Sequence, residues 1–185
     1  MIISNKVLNK ALNKALNKKL LIAVGLLTSS IASGQTCYTE LTTTTATENF
    51  SIIANGLVQD TVTGLMWMRC SYGQTWDNTN STCTGAPASI TWQDALQLSP
   101  GITEGGFSDW RIPSVKELAT IVEKSCVDPS VNITIFPATS AENYWTSTTV
   151  NDENTWAWGM AFYNGRNNTK EKLLDLHVRF VRYSQ

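Results

Sequence analysis

Four cysteines constrain this chain more than any other feature, because the segment before them decides whether they form disulfide bonds. Five lysines and no acidic residue precede the apolar run at residues 20–27, and small residues follow it as far as Gly34. A basic, then apolar, then small-residue order is typical of a secretory signal peptide. We therefore predict that residues 1–34 are a signal peptide and that the protein is secreted or periplasmic, within the cell envelope.

The same segment argues against a retained membrane anchor. Its apolar run spans eight residues, whereas a transmembrane helix needs about 20. No membrane span is therefore expected after cleavage. The residues that follow are numerous enough for one domain with one hydrophobic core.

All four cysteines, Cys37, Cys70, Cys83 and Cys126, come after the predicted signal peptide. An even number of cysteines in an exported chain predicts two disulfide bonds, and four cysteines allow three pairings. The sequence favours the nested pairing, Cys70 with Cys83 inside Cys37 with Cys126, because the short polar loop of the inner pair needs a cross-link. A zinc site is the alternative, but the sequence has no CxxC motif and a single histidine.

Charge narrows the range of partners. Five of the fourteen Lys and Arg residues lie before residue 20, so the rest of the chain carries nine of them against fifteen Asp and Glu, a net charge of about −6. Nucleic acids and anionic membranes attract basic surfaces. We therefore expect no nucleic-acid partner.

Hydrophobic periodicity and turn chemistry predict both strands and helices. Turn dipeptides divide residues 50–70 into short strands, while residues 35–49 form a linker or an edge strand. One helix is predicted at residues 91–98. A second, opened by a Ser-x-x-Glu capping box, is predicted at residues 114–124.

The last third of the chain predicts strands. Apolar residues alternate at positions 156–162 and again at 174–180, on either side of the turn signal Asn164-Gly165. Two-residue periodicity on both sides of such a turn indicates an antiparallel hairpin. With the two helices, this pattern predicts a single α+β domain over residues 50–185.

Several short motifs occur together in a characteristic order. They are DTVTGLMW (60–67), MRC (68–70), SDWRIPS (108–114), KEL (116–118), Asn132 with IFP (135–137), YWTS (144–147) and VRFVR (178–182). In this order they resemble the family of the C-terminal domain of the Legionella collagen-like adhesin. The resemblance covers roughly residues 50–183.

The resemblance implies a fold and a function. It implies a C-type-lectin-like α+β fold, with two helices packed on a small antiparallel sheet, long loops, and two disulfides joining the first cysteine to the fourth and the second to the third. In the namesake adhesin the domain binds host glycosaminoglycans and forms a trimer, which makes an oligomer an expectation here. The sequence departs from that pattern, since it has no collagen-like repeat and an acidic balance after the leader.

Two pairs of residues are candidates for ligand binding. Trp76 and Asp77 lie in the polar loop between the inner cysteines, where an aromatic ring could stack on a sugar or anchor the loop. Asp109 and Arg111 flank Trp110 before the second helix, where they could form a ligand-binding edge or an internal ion pair. The other six tryptophans occupy apolar phases of predicted elements and are assigned to the core.

Two further acidic segments carry oxygen ligands. Glu142 and Asn143 precede a predicted strand and are candidates for ligand binding. Asp152, Glu153 and Asn154 could bind Ca²⁺, which prefers such oxygen atoms. The alternative for both segments is that they are solvated turn residues, and no other cofactor is expected.

The sequence predicts a binding protein rather than an enzyme. Its single histidine, His177, has no Ser or Cys nucleophile nearby in the sequence, and no phosphate-binding loop or metalloprotease motif is present. We predict a secreted, non-catalytic module that binds a glycan or a surface protein through its loop face, in adhesion or envelope interaction. The alternative is a structural or protein-interaction module of a surface or periplasmic assembly.

Overall fold

Strands dominate the part of the chain that the computed structural model describes, residues 34–54 and 56–184. Apart from Gly34, the predicted signal peptide lies outside the described residues. The thirteen strands are β1 (Thr36–Cys37), β2 (Phe50–Ala54), β3 (Leu57–Asp60), β4 (Leu65–Met68), β5 (Thr75–Asp77), β6 (Thr82–Thr84), β7 (Ser89–Ile90), β8 (Cys126–Val127), β9 (Asn143–Val150), β10 (Glu153–Ala161), β11 (Arg166–Glu171), β12 (Leu176–His177) and β13 (Val181–Tyr183). The helices are α1 (Trp92–Leu98) and α2 (Val115–Ala119), with 3₁₀ turns at Thr47–Asn49 and Ser99–Gly101.

The strands form two larger sheets and two small ribbons. The five-stranded sheet has the order β11-β10-β9-β12-β7, and the four-stranded sheet has the order β13-β4-β3-β2. The ribbons pair β1 with β8 and β5 with β6. Strand pairs are antiparallel except β12 with β9, which run parallel.

The prediction of two helices packed on a small sheet, and with it the C-type-lectin-like fold class, is wrong. Only α1, together with the 3₁₀ turn that continues it to Gly101, reaches ten residues. The predicted second helix stops at Ala119 after five residues. The described residues therefore form a mostly β structure in several sheets.

The second helix ends early for a local reason. Ser114 and Glu117 do form the reciprocal capping box, which explains why the helix starts where the sequence predicts. Beyond the helix, however, Val122 forms a β-bridge with Val131, and the Glu123 amide donates to the Ser130 carbonyl. The apolar spacing continues past the helix because these residues face the core from an irregular segment.

The C-terminal hairpin also differs from its prediction. The chain does turn near Asn164-Gly165, but the strand that returns beside β10 is the polar β11, with Ala161 opposite Arg166. The alternating apolar residues further on contribute only the two-residue strand β12, between β9 and β7. An edge strand exposed to water needs no apolar alternation, so β11 carried no periodic signal.

Apolar residues from both larger sheets meet in the interior. One cluster joins Trp67 of β4, Tyr144 of β9 and Met160 of β10 with Leu118 of α2. Of the six tryptophans assigned to the core, Trp67, Trp110 and Trp145 are buried, while Trp92, Trp156 and Trp158 are half-buried. In β10, Ala157 and Gly159 are buried instead of the two tryptophans beside them, and the pairing with β9 is irregular at both positions.

Both disulfide bonds of the nested arrangement are present. Cys37 is joined to Cys126 and Cys70 to Cys83. The outer bond connects facing residues of β1 and β8, so it attaches the N-terminal segment to the body of the domain. Among the described residues, no helix has both the length and the apolar character needed to cross a membrane.

A buried carboxylate fixes the same N-terminal segment. The side chain of Glu123 is almost wholly buried and accepts hydrogen bonds from the backbone amides and hydroxyls of Thr44 and Thr45 at 2.8–3.2 Å. It also accepts from the Ser125 amide at 3.0 Å and hydroxyl at 2.7 Å. Thr44 and Thr45, which the sequence predicted to lie in a linker or edge strand, thus donate hydrogen bonds to a buried carboxylate.

Candidate functional site

A cleft of about 390 Å³ lies beside the β5–β6 ribbon. Its apolar lining includes Met68, Tyr72 and Phe180, and the ring of Tyr72 packs edge-on against Phe180 at 6.0 Å between centroids. Trp76 of β5 and Glu104 also line it. Small-molecule sites combine such an apolar lining with a few polar groups.

The ribbon that carries Trp76 is rigid. The disulfide bond to Cys70 attaches the middle of β6 at Cys83, which lies directly opposite Trp76 in the pairing. At its tip, the Asp77 carboxylate accepts from the Thr79 amide at 2.8 Å and from the Asn80 side chain at 2.7 Å. These hydrogen bonds, that from the Asn80 side chain first, lower the pKa of Asp77. Asp77 therefore stabilises the turn.

Three contacts fix the Trp76 indole at the cleft. Its Nε1 donates to the Asn78 side chain at 3.0 Å, and the guanidinium of Arg69 lies 4.1 Å from the ring centroid. Gly56 approaches so closely, at a positive φ of 83°, that a Cβ there would lie 2.9 Å from the Trp76 Cβ. The indole is half-buried, so it both anchors the ribbon and lines the cleft.

Two buried arginines support this region, and neither has a carboxylate partner among the described residues. Arg69 donates to the carbonyls of Ile135 at 2.7 Å and Thr134 at 2.9 Å. Arg179 donates to the carbonyls of Met68 and Arg69. Burial lowers the pKa of Arg179 to about 10, because a charged guanidinium is less stable away from water. The hydrogen bonds that Arg179 donates offset part of this cost.

The hydroxyl partners of Arg179 extend the network to the cleft lining. Its Nη2 contacts the Thr139 hydroxyl at 2.8 Å and the Ser71 hydroxyl at 3.3 Å. Ser71 lines the cleft and is also hydrogen-bonded to the Tyr144 hydroxyl at 2.8 Å. The cleft is therefore built on a fixed polar framework.

Glu104, which was not predicted from the sequence, lines the same cleft. Residues 104–107 form a tight turn, in which Glu104 and Phe107 are bridged and both central glycines have positive φ. The Trp110 indole donates to the Glu104 carbonyl at 3.1 Å, and a Cβ at Gly105 would collide with Leu57. The Gly105-Gly106 dipeptide is a turn signal that could have drawn attention to this segment.

Asp109 and Arg111 are not paired with each other. Asp109 accepts from Nε of Arg182 at 2.6 Å, and this hydrogen bond lowers the pKa of Asp109. Arg111 forms two hydrogen bonds with Glu117, at 2.8 and 2.6 Å. The predicted alternative of an internal ion pair between Asp109 and Arg111 is therefore wrong, because each residue pairs with a different partner.

The Glu117 carboxylate serves both its helix cap and this ion pair. Burial alone would raise the pKa of Glu117, but the hydrogen bonds from Arg111 and Ser114 outweigh that effect and lower it to about 2. Neither Asp109 nor Arg111 lines the cleft beside Trp76.

The remaining predicted residues lie on the five-stranded sheet. The Asn143 side chain accepts from Asn168 at 2.9 Å, and Glu142 is exposed just before β9. Asp152, Glu153 and Asn154 are exposed around the β9–β10 turn. Within residues 34–54 and 56–184, no group of three or more His, Cys, Asp or Glu side chains is placed to hold a metal ion. The Ca²⁺ site at Asp152, Glu153 and Asn154, which would include an amide oxygen, stays a prediction.

The fold also brings a serine to the lone histidine. The Ser89 hydroxyl lies 3.0 Å from Nδ1 of His177, and the Ala88 carbonyl lies 3.1 Å from the same nitrogen. Both contacts involve the same ring nitrogen, so the tautomer of His177 determines whether Nδ1 donates to the Ala88 carbonyl or accepts from the Ser89 hydroxyl.

The fold and cleft together define a class of protein. Two disulfide bonds are typical of extracellular and envelope proteins, and a preformed cleft with an aromatic wall is typical of small binding modules. The chain belongs to the Lcl C-terminal domain family, whose model matches residues 56–182. The family resemblance predicted from the sequence is thereby confirmed.

This membership indicates an adhesin-like or binding module. The matched range begins at Gly56, which contacts Trp76, and includes both Trp76 and Glu104. No curated protein matches this chain significantly in sequence.

Proposed function

We propose that this protein is a secreted, non-catalytic module that binds a glycan or another surface ligand through the Trp76 cleft, in adhesion or envelope interaction. The observation that carries the proposal is the rigid placement of a half-buried indole on a cleft of about 390 Å³. The family supports the general role of a binding module, and the cleft is the proposed location of binding.

The chemistry of the cleft suits a sugar ring. One face of many sugars is apolar C–H surface, which packs on an aromatic ring, while the hydroxyl rim needs hydrogen-bonding partners. Trp76 and Tyr72 supply aromatic surface, and Asn78 and Glu104 supply polar groups on the same lining. Because the disulfide bond of the ribbon and the hydrogen bond to Asn78 already hold Trp76, stacking a ligand on it requires little ordering of the indole.

Replacing Trp76 tests this function. In Trp76→Ala the stacking surface is lost, and we expect affinity for the bound glycan to fall at least about tenfold, as for other aromatic anchors of binding sites. The ligand is first identified by exposing the protein to a glycan array, and its affinity is then measured by calorimetry. Trp156→Ala is the matched control, since Trp156 is also half-buried but does not line the cleft. Equal losses in the two variants would contradict the assignment of the site.

One observation favours the alternative of a protein-interaction module. Strand β2 lies at an edge of the four-stranded sheet, with Ile52 53% and Ile53 44% exposed. An exposed apolar edge strand can pair with a strand of another protein.

The two functions predict opposite behaviour of two variants. If the β2 edge carries the main interaction, Ile52→Lys abolishes retention of a defined envelope protein, and Trp76→Ala leaves it intact. Retention by the immobilised domain, measured with and without competing sugar, distinguishes them. Loss of retention in Trp76→Ala alone would exclude the edge-strand alternative.

A further inference from the structure

We propose that Arg69 is a positioning residue of the Trp76 cleft. It holds the indole in its binding orientation by stacking on the ring, and it does so without contacting the ligand. This inference rests on the proposed function and concerns the same site. An arginine beside an aromatic ring could also bind a ligand directly, so the two roles have to be separated.

The contacts of Arg69 are with the protein. Its guanidinium lies over the Trp76 ring, 4.1 Å from the centroid. Its Nε and Nη2 donate to the carbonyls of Ile135 at 2.7 Å and Thr134 at 2.9 Å. Arg69 is only 7% exposed and is not among the residues that line the cleft. The guanidinium is therefore held against the indole by backbone acceptors outside the cleft lining.

The two carbonyls that hold Arg69 are themselves fixed. The Asn132 side chain accepts from the backbone amides of Thr134 and Ile135. The same side chain donates to the Thr45 carbonyl at 2.8 Å, which attaches this segment to the N-terminal part of the domain. A guanidinium is planar and presents its donors in a rigid fork. A fixed pair of acceptors therefore sets its position over the indole.

The other contacts of the indole do not replace the contact with Arg69. Nε1 of Trp76 bonds to the Asn78 side chain at one edge of the ring, and Gly56 lies against Cβ and Cγ at the base of the side chain. Neither contact restrains the tilt of the ring, whereas a cation over the face attracts it. A ligand that stacks on an unrestrained ring has to order it first, which lowers affinity.

Arg69→Lys tests the positioning role. Lysine keeps the positive charge but lacks the planar fork, so it cannot bond to both carbonyls while it stacks on the ring. We expect the affinity for the glycan identified on the array to fall about fivefold by calorimetry, the scale of a cation–π contact. Lys172→Met is the matched control, because the Lys172 amine lies 4.3 Å from the ring centroid of Trp92, which does not line the cleft. It should leave the affinity unchanged.

A double-mutant cycle separates positioning from direct contact. If Arg69 acts through the indole, Arg69→Lys should change the affinity by less than about a factor of two when Trp76 is already replaced by alanine. A direct contact between Arg69 and the ligand would give the same loss in both backgrounds, and that result would overturn the inference.

Fluorine NMR of protein labelled with fluorotryptophan follows the ring itself, independently of affinity. Trp76→Phe assigns the Trp76 resonance. In Arg69→Lys this resonance should shift or broaden, while those of the buried Trp67 and Trp145 keep their positions. Asn132→Ala, which loosens the two carbonyls but leaves Arg69 in place, should move the same resonance and lower the affinity in the same direction. It keeps the test decisive if Arg69→Lys does not fold.

The outcomes distinguish failure of this inference from failure of the proposed function. A loss of affinity in Trp76→Ala with none in Arg69→Lys would overturn the positioning role and leave the cleft as the binding site. An unchanged Trp76 resonance in the folded Arg69→Lys or Asn132→Ala variant would overturn it as well. Equal affinities of the wild type and Trp76→Ala, or no signal on the glycan array, would reject the proposed function itself.

Discussion

Loss of the disulfide bond between Cys37 and Cys126 is expected to lower the free energy of unfolding by about 4.5 kcal/mol in Cys37→Ser/Cys126→Ser. The two cysteines are 89 residues apart, and in the loop-entropy description a longer closed loop gives a larger restriction of the unfolded chain. An effect of this size is a large part of the stability of a typical domain. Urea denaturation at neutral pH measures it.

The second disulfide bond provides the matched control. Cys70 and Cys83 are only 13 residues apart, so Cys70→Ser/Cys83→Ser should lose about 3 kcal/mol. The two bonds should also differ in their effect on binding, because Cys70 lines the Trp76 cleft and the outer pair does not. We expect the inner variant to lose glycan affinity under conditions in which both variants remain folded.

Either of two results would contradict this view of the disulfide bonds. Equal losses of stability in the two double variants would mean that loop length does not determine the contribution. Intact binding in the inner variant would mean that the β5–β6 ribbon keeps Trp76 in place without its covalent link.

Local sequence signals predicted where elements begin better than how far they extend. The capping box at Ser114 marks a real helix start, because it depends on two residues that are neighbours in the chain. The length of that helix is set by Val131 and Ser130, which pair with the segment after it. Such pairing partners cannot be identified from helical spacing, so the α+β prediction gave too much helix.

The cleft was partly predictable for the same reason. Trp76 was identified because an aromatic residue between two closely spaced cysteines is visible in the sequence. Glu104 was missed because only the folded chain brings its turn to the same cleft as Trp76. Asp109 was grouped with Arg111 through sequence proximity, whereas its actual partner, Arg182, is 73 residues away.

Neutralising the buried carboxylate in Glu123→Gln is expected to lower the free energy of unfolding by roughly 3 kcal/mol at neutral pH. Burial alone would raise the pKa of Glu123, but the hydrogen bonds from Ser125, Thr44 and Thr45 outweigh it and lower the pKa from 4.5 to about 2. Each pKa unit corresponds to about 1.4 kcal/mol of preference for the charged form in the folded state. Glutamine keeps the shape of the side chain but lacks the negative charge to which six N–H and O–H groups donate hydrogen bonds.

The pH dependence of stability gives an independent measure of the same interaction. A carboxylate whose pKa is lowered on folding stabilises the protein above the unfolded value of 4.5, and the contribution is lost as the pH falls towards 2. The pKa of Glu117 is lowered to about 2 as well, so the wild-type protein should lose stability through both groups. In Glu123→Gln the loss of stability between pH 5 and 2 should be smaller, because the contribution of Glu123 is absent.

Amide hydrogen exchange locates the part of the structure that loses stability in Glu123→Gln. If Glu123 holds the N-terminal segment, the amides of Thr44 and Thr45 should exchange faster in Glu123→Gln, while those of the β9–β10 pair keep their protection. Glu142→Gln, an exposed carboxylate at the start of β9, should change neither the exchange nor the acid dependence. Unchanged exchange at Thr44 and Thr45 in Glu123→Gln would show that the disulfide bond at Cys37 and the hydrogen bonds of this segment to Val122, Lys124 and Asn132 suffice to fix it. The stability of the segment would then not depend on the buried charge of Glu123.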